Sequence, residues 1–187
     1  MQTRRQFAAM MAAIPAAALL PAAARAAEGQ QVAPEFMPRS VRVSGDIAPG
    51  QIVVAPQQHY LYHVTQPGQA TRYGVGVGRA GLAFHGDAVV GRKAEWPSWR
   101  PTDEMIEREP QQYAQFADGV PGGPDNPLGA RALYLYQDGV DTYFRIHGTT
   151  DPGSIGRSVS NGCIRMLNDH VKALYEQVAV GTRVTVL

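Results

Sequence analysis

Arg145-Ile146-His147-Gly148-Thr149-Thr150-Asp151-Pro152-Gly153-Ser154-Ile155-Gly156-Arg157-Ser158-Val159-Ser160-Asn161-Gly162-Cys163-Ile164-Arg165-Met166 carries more information than any other stretch of the chain. Its first residues close a strand that begins near Thr142. Side chains alternate faces along a strand, so Phe144 and Ile146 point to the core and Tyr143, Arg145 and His147 to the polar face. His147 then ends the strand where a loop begins, a position that serves a cleft histidine or a solvated one. Sixteen residues later stands Cys163, the single cysteine, behind Gly162 and Ser160. A lone cysteine closes no intrachain disulfide. It is a buried small hydrophobe, an intermolecular bridge or a working thiol.

The neighbours of Cys163 favour the working thiol. A free thiol is only partly ionised at neutral pH, and an imidazole within hydrogen-bond reach takes its proton. Gly162 lacks a Cβ, so the backbone turns sharply there and adjacent N–H groups converge on one point. Two such donors form an oxyanion hole, each worth ~3 kcal/mol to a tetrahedral intermediate. The Gly148 carbonyl is placed to orient the other imidazole nitrogen of His147, completing a nucleophile, base and orienter. Metal ligation is the rival use of a cysteine and a histidine, but His59, His63, His85 and His170 show no ligand spacing, and no metal site is expected.

Working outward, short strands are expected at Ile52–Val54, Tyr60–Val64 and Thr71–Val77, where β-branched and aromatic residues gather between turn-type pieces. Gly74, Gly76 and Gly78 alternate, which strips one strand face of side chains and suits close approach of another backbone. Ala88–Arg92 is a fourth strand. Glu95-Trp96-Pro97-Ser98-Trp99-Arg100-Pro101 is too proline-rich for a strand or helix interior. Thr102 caps a short helix to about Glu109. Residues 118–130 form a long loop with four glycines and three prolines, either a surface excursion or a functional lid. Leu133–Tyr136 and Thr142–His147 make a hairpin about Asp138-Gly139. Asn168 is a candidate N-cap for a last helix with Val171, Leu174 and Val178 on one face, ended by Gly181 and followed by a closing strand, Arg183–Leu187.

The chain of 187 residues is 44% hydrophobic and 18% charged, enough for one core. A net charge of +1 gives no global field for nucleic acid, and none is expected as a partner. Residues 1–26 read as a signal peptide: Arg4 and Arg5, an Ala-rich stretch from Phe7 to Leu20, and an A-x-A site at Ala24-Arg25-Ala26. Thr3-Arg4-Arg5-Gln6-Phe7 resembles a twin-arginine signal. Export to the periplasm is the expectation, with an uncleaved anchor as the alternative. Residues 27–40 read as a flexible leader and 41–187 as a single catalytic domain.

His147-Gly148-Thr149 followed by Ser160-x-Gly162-Cys163-Ile164-Arg165-Met166 resembles the signature of L,D-transpeptidases of the YkuD type. Gly91-Arg92-Lys93-Ala94-Glu95-Trp96-Pro97, Gly122-Gly123-Pro124-Asp125-Asn126-Pro127-Leu128-Gly129 and Val180–Leu187 are similar to the catalytic domain of proteobacterial members. The resemblance is dense from about Gly74 to Leu187. It implies a mostly-β sandwich with one or two short helices and no metal or organic cofactor. Cys163 would be the nucleophile, His147 the base and the Gly148 carbonyl its orienter. Backbone N–H groups at Gly162 and Cys163 would hold the oxyanion. Ser160 would brace the loop or the histidine, Asn161 would meet substrate, and Arg165 would either anchor a substrate carboxylate or tie the loop. Many members carry histidine where this chain has Asn161, and no appended wall-anchoring domain is legible. The implied partners are peptidoglycan stem peptides, an outer-membrane protein as one candidate acceptor, and carbapenem-type β-lactams as inhibitors. The same residues would serve an L,D-carboxypeptidase or endopeptidase, and a catalytically silent wall-binding module is the alternative from another class.

Overall fold

The computed structural model describes residues 32–187. Strands dominate: β1 (Arg39–Arg42), β2 (Ile52–Ala55), β3 (Tyr60–Gln66), β4 (Gln69–Gly74), β5 (Val77–Gly78), β6 (Gly86–Glu95), β7 (Arg131–Gln137), β8 (Val140–His147), β9 (Ser158–Ser160), β10 (Ile164–Arg165) and β11 (Arg183–Val186). The helices are short: α1 (Asp103–Arg108), α2 (Pro110–Tyr113) and α3 (Asn168–Gln177). Nine strands form one sheet in the order β1-β4-β3-β2-β11-β6-β7-β8-β10, and β5 pairs with β9 in a second. This is the mostly-β sandwich that the resemblance implied. Three helices stand where one or two were expected, because Pro110 starts α2 directly after Glu109 ends α1.

The core follows the strand alternation. Ile52, Val54, Leu61, Val90, Leu133, Leu135, Ile146, Val184 and Val186 are buried in one cluster, closed by Val171, Leu174 and Val178 beneath α3. The β7–β8 hairpin turns at Asp138 and Gly139, both with positive φ (51° and 80°), as a two-residue turn of primed type requires. Thr102 caps α1, its Oγ1 accepting from the Met105 N–H at 3.2 Å.

Four expectations shift. The strand foreseen over Thr71–Val77 breaks after Gly74, because Gly76 leaves β4 to exchange backbone hydrogen bonds with Arg165. The bare glycine face is used as foreseen: a Cβ at Gly74 would strike Phe36, one at Gly76 would strike the Ser154 carbonyl, and one at Gly78 would lie 2.9 Å from the Gly162 Cα. Residues 32–40, assigned to a flexible leader, are ordered instead. A 3-10 turn at Pro34–Phe36 places Phe36 against Gly74 and Gly156, and β1 pairs with β4, so the domain begins before residue 41. The 1–26 signal peptide and residues 27–31 lie outside the described residues. Asn168 is not the cap of α3, since Leu167 holds that position without a side-chain bond and frees Asn168 for the loops below. The helix also stops at Gln177, ahead of Gly181.

Candidate active site

β8 delivers His147 between two neighbours, paired with Ala132 of β7 on one side and Arg165 of β10 on the other. Its backbone is therefore fixed from both edges, and the side chain is only 4% exposed, which removes the solvated alternative. Asn168 fastens the loop beyond it. Its Oδ1 accepts from the Ala130 N–H at 2.9 Å and its Nδ2 donates to the Thr149 carbonyl at 3.2 Å. Gly129 and Gly148 make room for that amide, since a Cβ on either would overlap Asn168 Oδ1.

His147 Nδ1 lies 2.5 Å from the Gly148 carbonyl. A carbonyl can only accept, so Nδ1 carries the proton and Nε2 keeps its lone pair. Burial pushes the imidazole down to about 4, the Gly148 carbonyl opposing that shift and the Arg165 and Arg145 charges adding to it. The residue is thus a neutral base with the correct tautomer at neutral pH.

Cys163 sits in the loop between β9 and β10 with intermediate exposure. Ser160 braces that loop and not the histidine. Its hydroxyl donates to the Cys163 carbonyl at 2.6 Å and accepts from the Gly162 N–H at 3.1 Å. Gly162 has φ 121°, a conformation closed to residues with a Cβ. Of the two donors expected for the oxyanion, the Gly162 N–H is thus engaged by Ser160. The Cys163 N–H has no acceptor among the described residues and is left for a ligand. Burial pushes the thiol up, and the Arg145 backbone N–H, Arg145 charge and Arg165 charge pull it back. The resting pair is thiol and imidazole, not thiolate and imidazolium.

The two side chains face one cavity of about 1240 Å³, with Arg165 and Tyr143 also on its walls. They are not hydrogen-bonded to each other. The Cys163 thiol instead points to the Tyr143 carbonyl, Sγ to O 3.9 Å. Resting structures often hold catalytic hydrogen bonds long, to tighten once substrate is bound. The Arg165 side chain forms no ion pair among the described residues, which favours its substrate-facing use, while its backbone does the tying through Gly76. Asn161, expected on the substrate side, does line the cavity, but its polar atoms are engaged by protein partners. Its Oδ1 accepts from Arg79 at 2.6 Å and Arg108 at 2.9 Å, and its Nδ2 donates to the Tyr113 hydroxyl at 2.7 Å. It fastens α1 and α2 over the nucleophile loop.

Loop 118–130 is pinned. Asn126 is 1% exposed. It donates to the carbonyls of Val120 and Pro121, both at 3.0 Å, and accepts from the Leu128 N–H at 2.9 Å. Sequence reasoning missed Asp141, Tyr143 and the Arg79–Glu109 ion pair of 2.6 Å that backs Asn161. Asp141 and Arg145 at i,i+4 were the one visible signal for the first. No group of three His, Cys, Asp or Glu side chains suited to a metal ion occurs among the described residues.

The chain matches the YkuD family, the L,D-transpeptidase catalytic domain, over residues 49–186. It is 32% identical over 153 residues to a protein named probable L,D-transpeptidase ErfK/SrfK from Escherichia coli, covering 81% of this chain and 48% of that one. The chain thus spans about half the length of the curated relatives it matches. Among solved structures, a Brucella melitensis protein described as a probable carnitine operon oxidoreductase is 51% identical, with TM-score 0.57, over 83% of this chain and 96% of its own. The catalytic domain of an E. faecium L,D-transpeptidase acylated by ertapenem shares the fold at TM-score 0.53 and 21% identity, over 76% of this chain and 100% of its own.

Proposed function

Because the chain belongs to the L,D-transpeptidase catalytic domain family, we propose that it transfers acyl groups from peptidoglycan tetrapeptide stems to an amine, with Cys163 as nucleophile and His147 as base. One observation carries the chemistry: a neutral, Nε2-basic imidazole and the chain's single thiol open onto the same cavity. The Cys163 proton passes to His147 Nε2 as sulfur attacks the carbonyl of the third stem residue. The Cys163 N–H donates to the oxyanion so formed, a contribution of ~3 kcal/mol. Collapse breaks the C–N bond, and His147 returns its proton to the departing D-alanine amine. In the second half the acceptor amine attacks the thioester, His147 takes the amine proton and the thiol leaves. The acceptor is a stem side-chain amine for a crosslink, or a protein amine for wall attachment.

The unpaired Arg165 guanidinium on the cavity wall suits a stem carboxylate. Carbapenem-type β-lactams would acylate Cys163 by the same first step, as ertapenem does to the E. faecium domain. The Arg4-Arg5 start and the A-x-A site support export to the periplasm, where such stems lie. The test is incubation of purified protein with tetrapeptide stems, with and without an amine acceptor. Released D-alanine plus a new crosslink is expected. Release without a crosslink makes the enzyme a carboxypeptidase, and no release leaves a wall-binding module.

A further inference from the structure

Opposite Cys163, β8 is not regular. The Tyr134–Arg145 and Tyr136–Asp141 pairs flank three residues of β8, Thr142, Tyr143 and Phe144, set against one of β7, Leu135. Tyr143 has φ 61°, a left-handed conformation that costs a residue with a Cβ about 1–3 kcal/mol. Its ring is largely exposed and packs loosely, the Arg145 guanidinium lying 5.8 Å from its centroid. Such strain persists only where the surroundings over-determine it.

They do so here. Asp141 Oδ1 accepts from the Tyr143 N–H at 2.8 Å. The same carboxylate grips Arg145 with both oxygens, Nη1 to Oδ1 2.7 Å and Nη2 to Oδ2 3.0 Å. Thr142 adds a third tie, its hydroxyl donating to the Leu135 carbonyl at 2.6 Å and accepting from the Phe144 N–H at 3.2 Å. The product of all this is an aimed backbone. The Tyr143 carbonyl faces the Cys163 sulfur at 3.9 Å. The Arg145 N–H also bears on that sulfur and favours the thiolate.

We propose that the Asp141 side chain is a positioning element for the nucleophile, its oxygen on the Tyr143 N–H locking the left-handed bulge that presents the backbone polar atoms of residues 143–145 to Cys163. The bulge is a cradle with two settings. The Tyr143 carbonyl accepts the proton of the resting thiol, and the Arg145 amide donates to the sulfur once that proton has gone to His147. The charged groups bearing on Cys163 are Arg145, Arg165 and Asp141, with neutral His147 across the cavity.

The inference deepens the acyl-transfer reading and rests on it, but its test reads the thiol directly. Cys163 is the sole cysteine, so alkylation by iodoacetamide reports on it alone. Asp141→Asn loses the charge and keeps an oxygen for the Tyr143 N–H, so it should alkylate at pH 7 at the parent rate or faster. Asp141→Ala loses both, and should alkylate at least fivefold more slowly than Asp141→Asn, its rate-against-pH curve moved to higher pH. Glycine adopts φ near 60° without strain. Adding Tyr143→Gly to Asp141→Ala should therefore bring the rate back to within about twofold of Asp141→Asn. A merely structural role for Asp141 predicts no such rescue. Equal rates for the Ala and Asn variants, or a double variant as slow as Asp141→Ala, overturns the proposal. A parent that alkylates in this order yet is not acylated by a carbapenem removes the acyl-transfer reading and leaves the bulge standing.

Discussion

The wall that carries His147 and Cys163 and the cap that overhangs them are held by different forces. The wall is sheet: Ile146, Ile164 and Met166 are buried at 0%, 3% and 0% exposure, and backbone ladders fix His147 from either side and hold Ile164, directly after Cys163, against β8. The cap, residues 96–130, contributes nothing to the buried core cluster. It rests on aromatic edges of Trp99 against Tyr113 and Phe116, on the Asn126 side chain, and on the Asn161–Arg79–Arg108–Glu109 network. Buried apolar area is insensitive to salt and local geometry, whereas exposed polar ties are each worth ~0–1 kcal/mol. The chemistry is thus mounted on the stiff region, and access to it is governed by the weak one.

Substitutions in the wall should act on catalysis first. Cys163→Ser should abolish acyl transfer and carbapenem adduct formation while leaving the melting temperature close to the parent's; an adduct still seen by mass spectrometry would remove Cys163 from the mechanism. His147→Ala should cut kcat/KM by roughly 10²–10⁴-fold, the usual worth of a positioned base. Gly162→Ala differs in kind, because the fold itself objects. A Cβ there would overlap the Phe144 ring and the Leu82 carbonyl at a φ of 121°. The cost should be about 3 kcal/mol, seen as a fall in Tm of roughly 6–12 °C.

The buried histidine also sets a pH signature. His147 titrates at about 4 in the fold against an ordinary 6.5. Between those values the unfolded chain binds the extra proton, so stability is full above the upper value and falls as pH drops toward the lower one. The loss is ~3 kcal/mol from His147, and buried His63 and His170, both shifted down by burial, add in the same direction. Denaturant melts from pH 7 to 4 in the parent and in His147→Gln check this: the variant should show the shallower slope. The acid limb of kcat/KM should lie near 4 and not near 6.5.

The two regions also differ in how far the sequence exposed them. Strand alternation, the Asp138-Gly139 turn and the His147–Cys163 spacing were legible because each rests on a local rule: side-chain period, glycine conformation, thiol chemistry. The glycine row at 74, 76 and 78 announced close approach without saying by what. What stayed hidden is non-local. Asn168 looks like a helix cap in sequence, and nothing near it says that Gly129 and Gly148 leave space for its amide. Asn161 stands beside the nucleophile, so substrate contact was the natural expectation. Its partners come from 82 residues upstream at Arg79 and 48 upstream at Tyr113, distances over which no sequence period speaks. Tyr143 hides for another reason: a β-prone residue in a strand pattern gives no sign of a positive φ.

Asn161 offers the sharpest test of the contrast, with an expected effect on global stability smaller than that of Gly162→Ala. Its side chain ties the nucleophile loop to α1, α2 and Arg79 at once, through three hydrogen bonds. Asn161→Ala removes all three but touches neither His147 nor the core, so global stability should fall by only about 1 kcal/mol. Local opening of the cap should respond far more, because its own free energy of opening is small to begin with. Amide exchange across residues 103–116 should quicken about fivefold or more relative to β7 and β8, with the alkylation rate of Cys163 rising as the cavity opens. Exchange that quickens equally in cap and wall would mean that the two regions unfold as one unit, and that the division between a stiff chemical wall and a loosely tied cover is false.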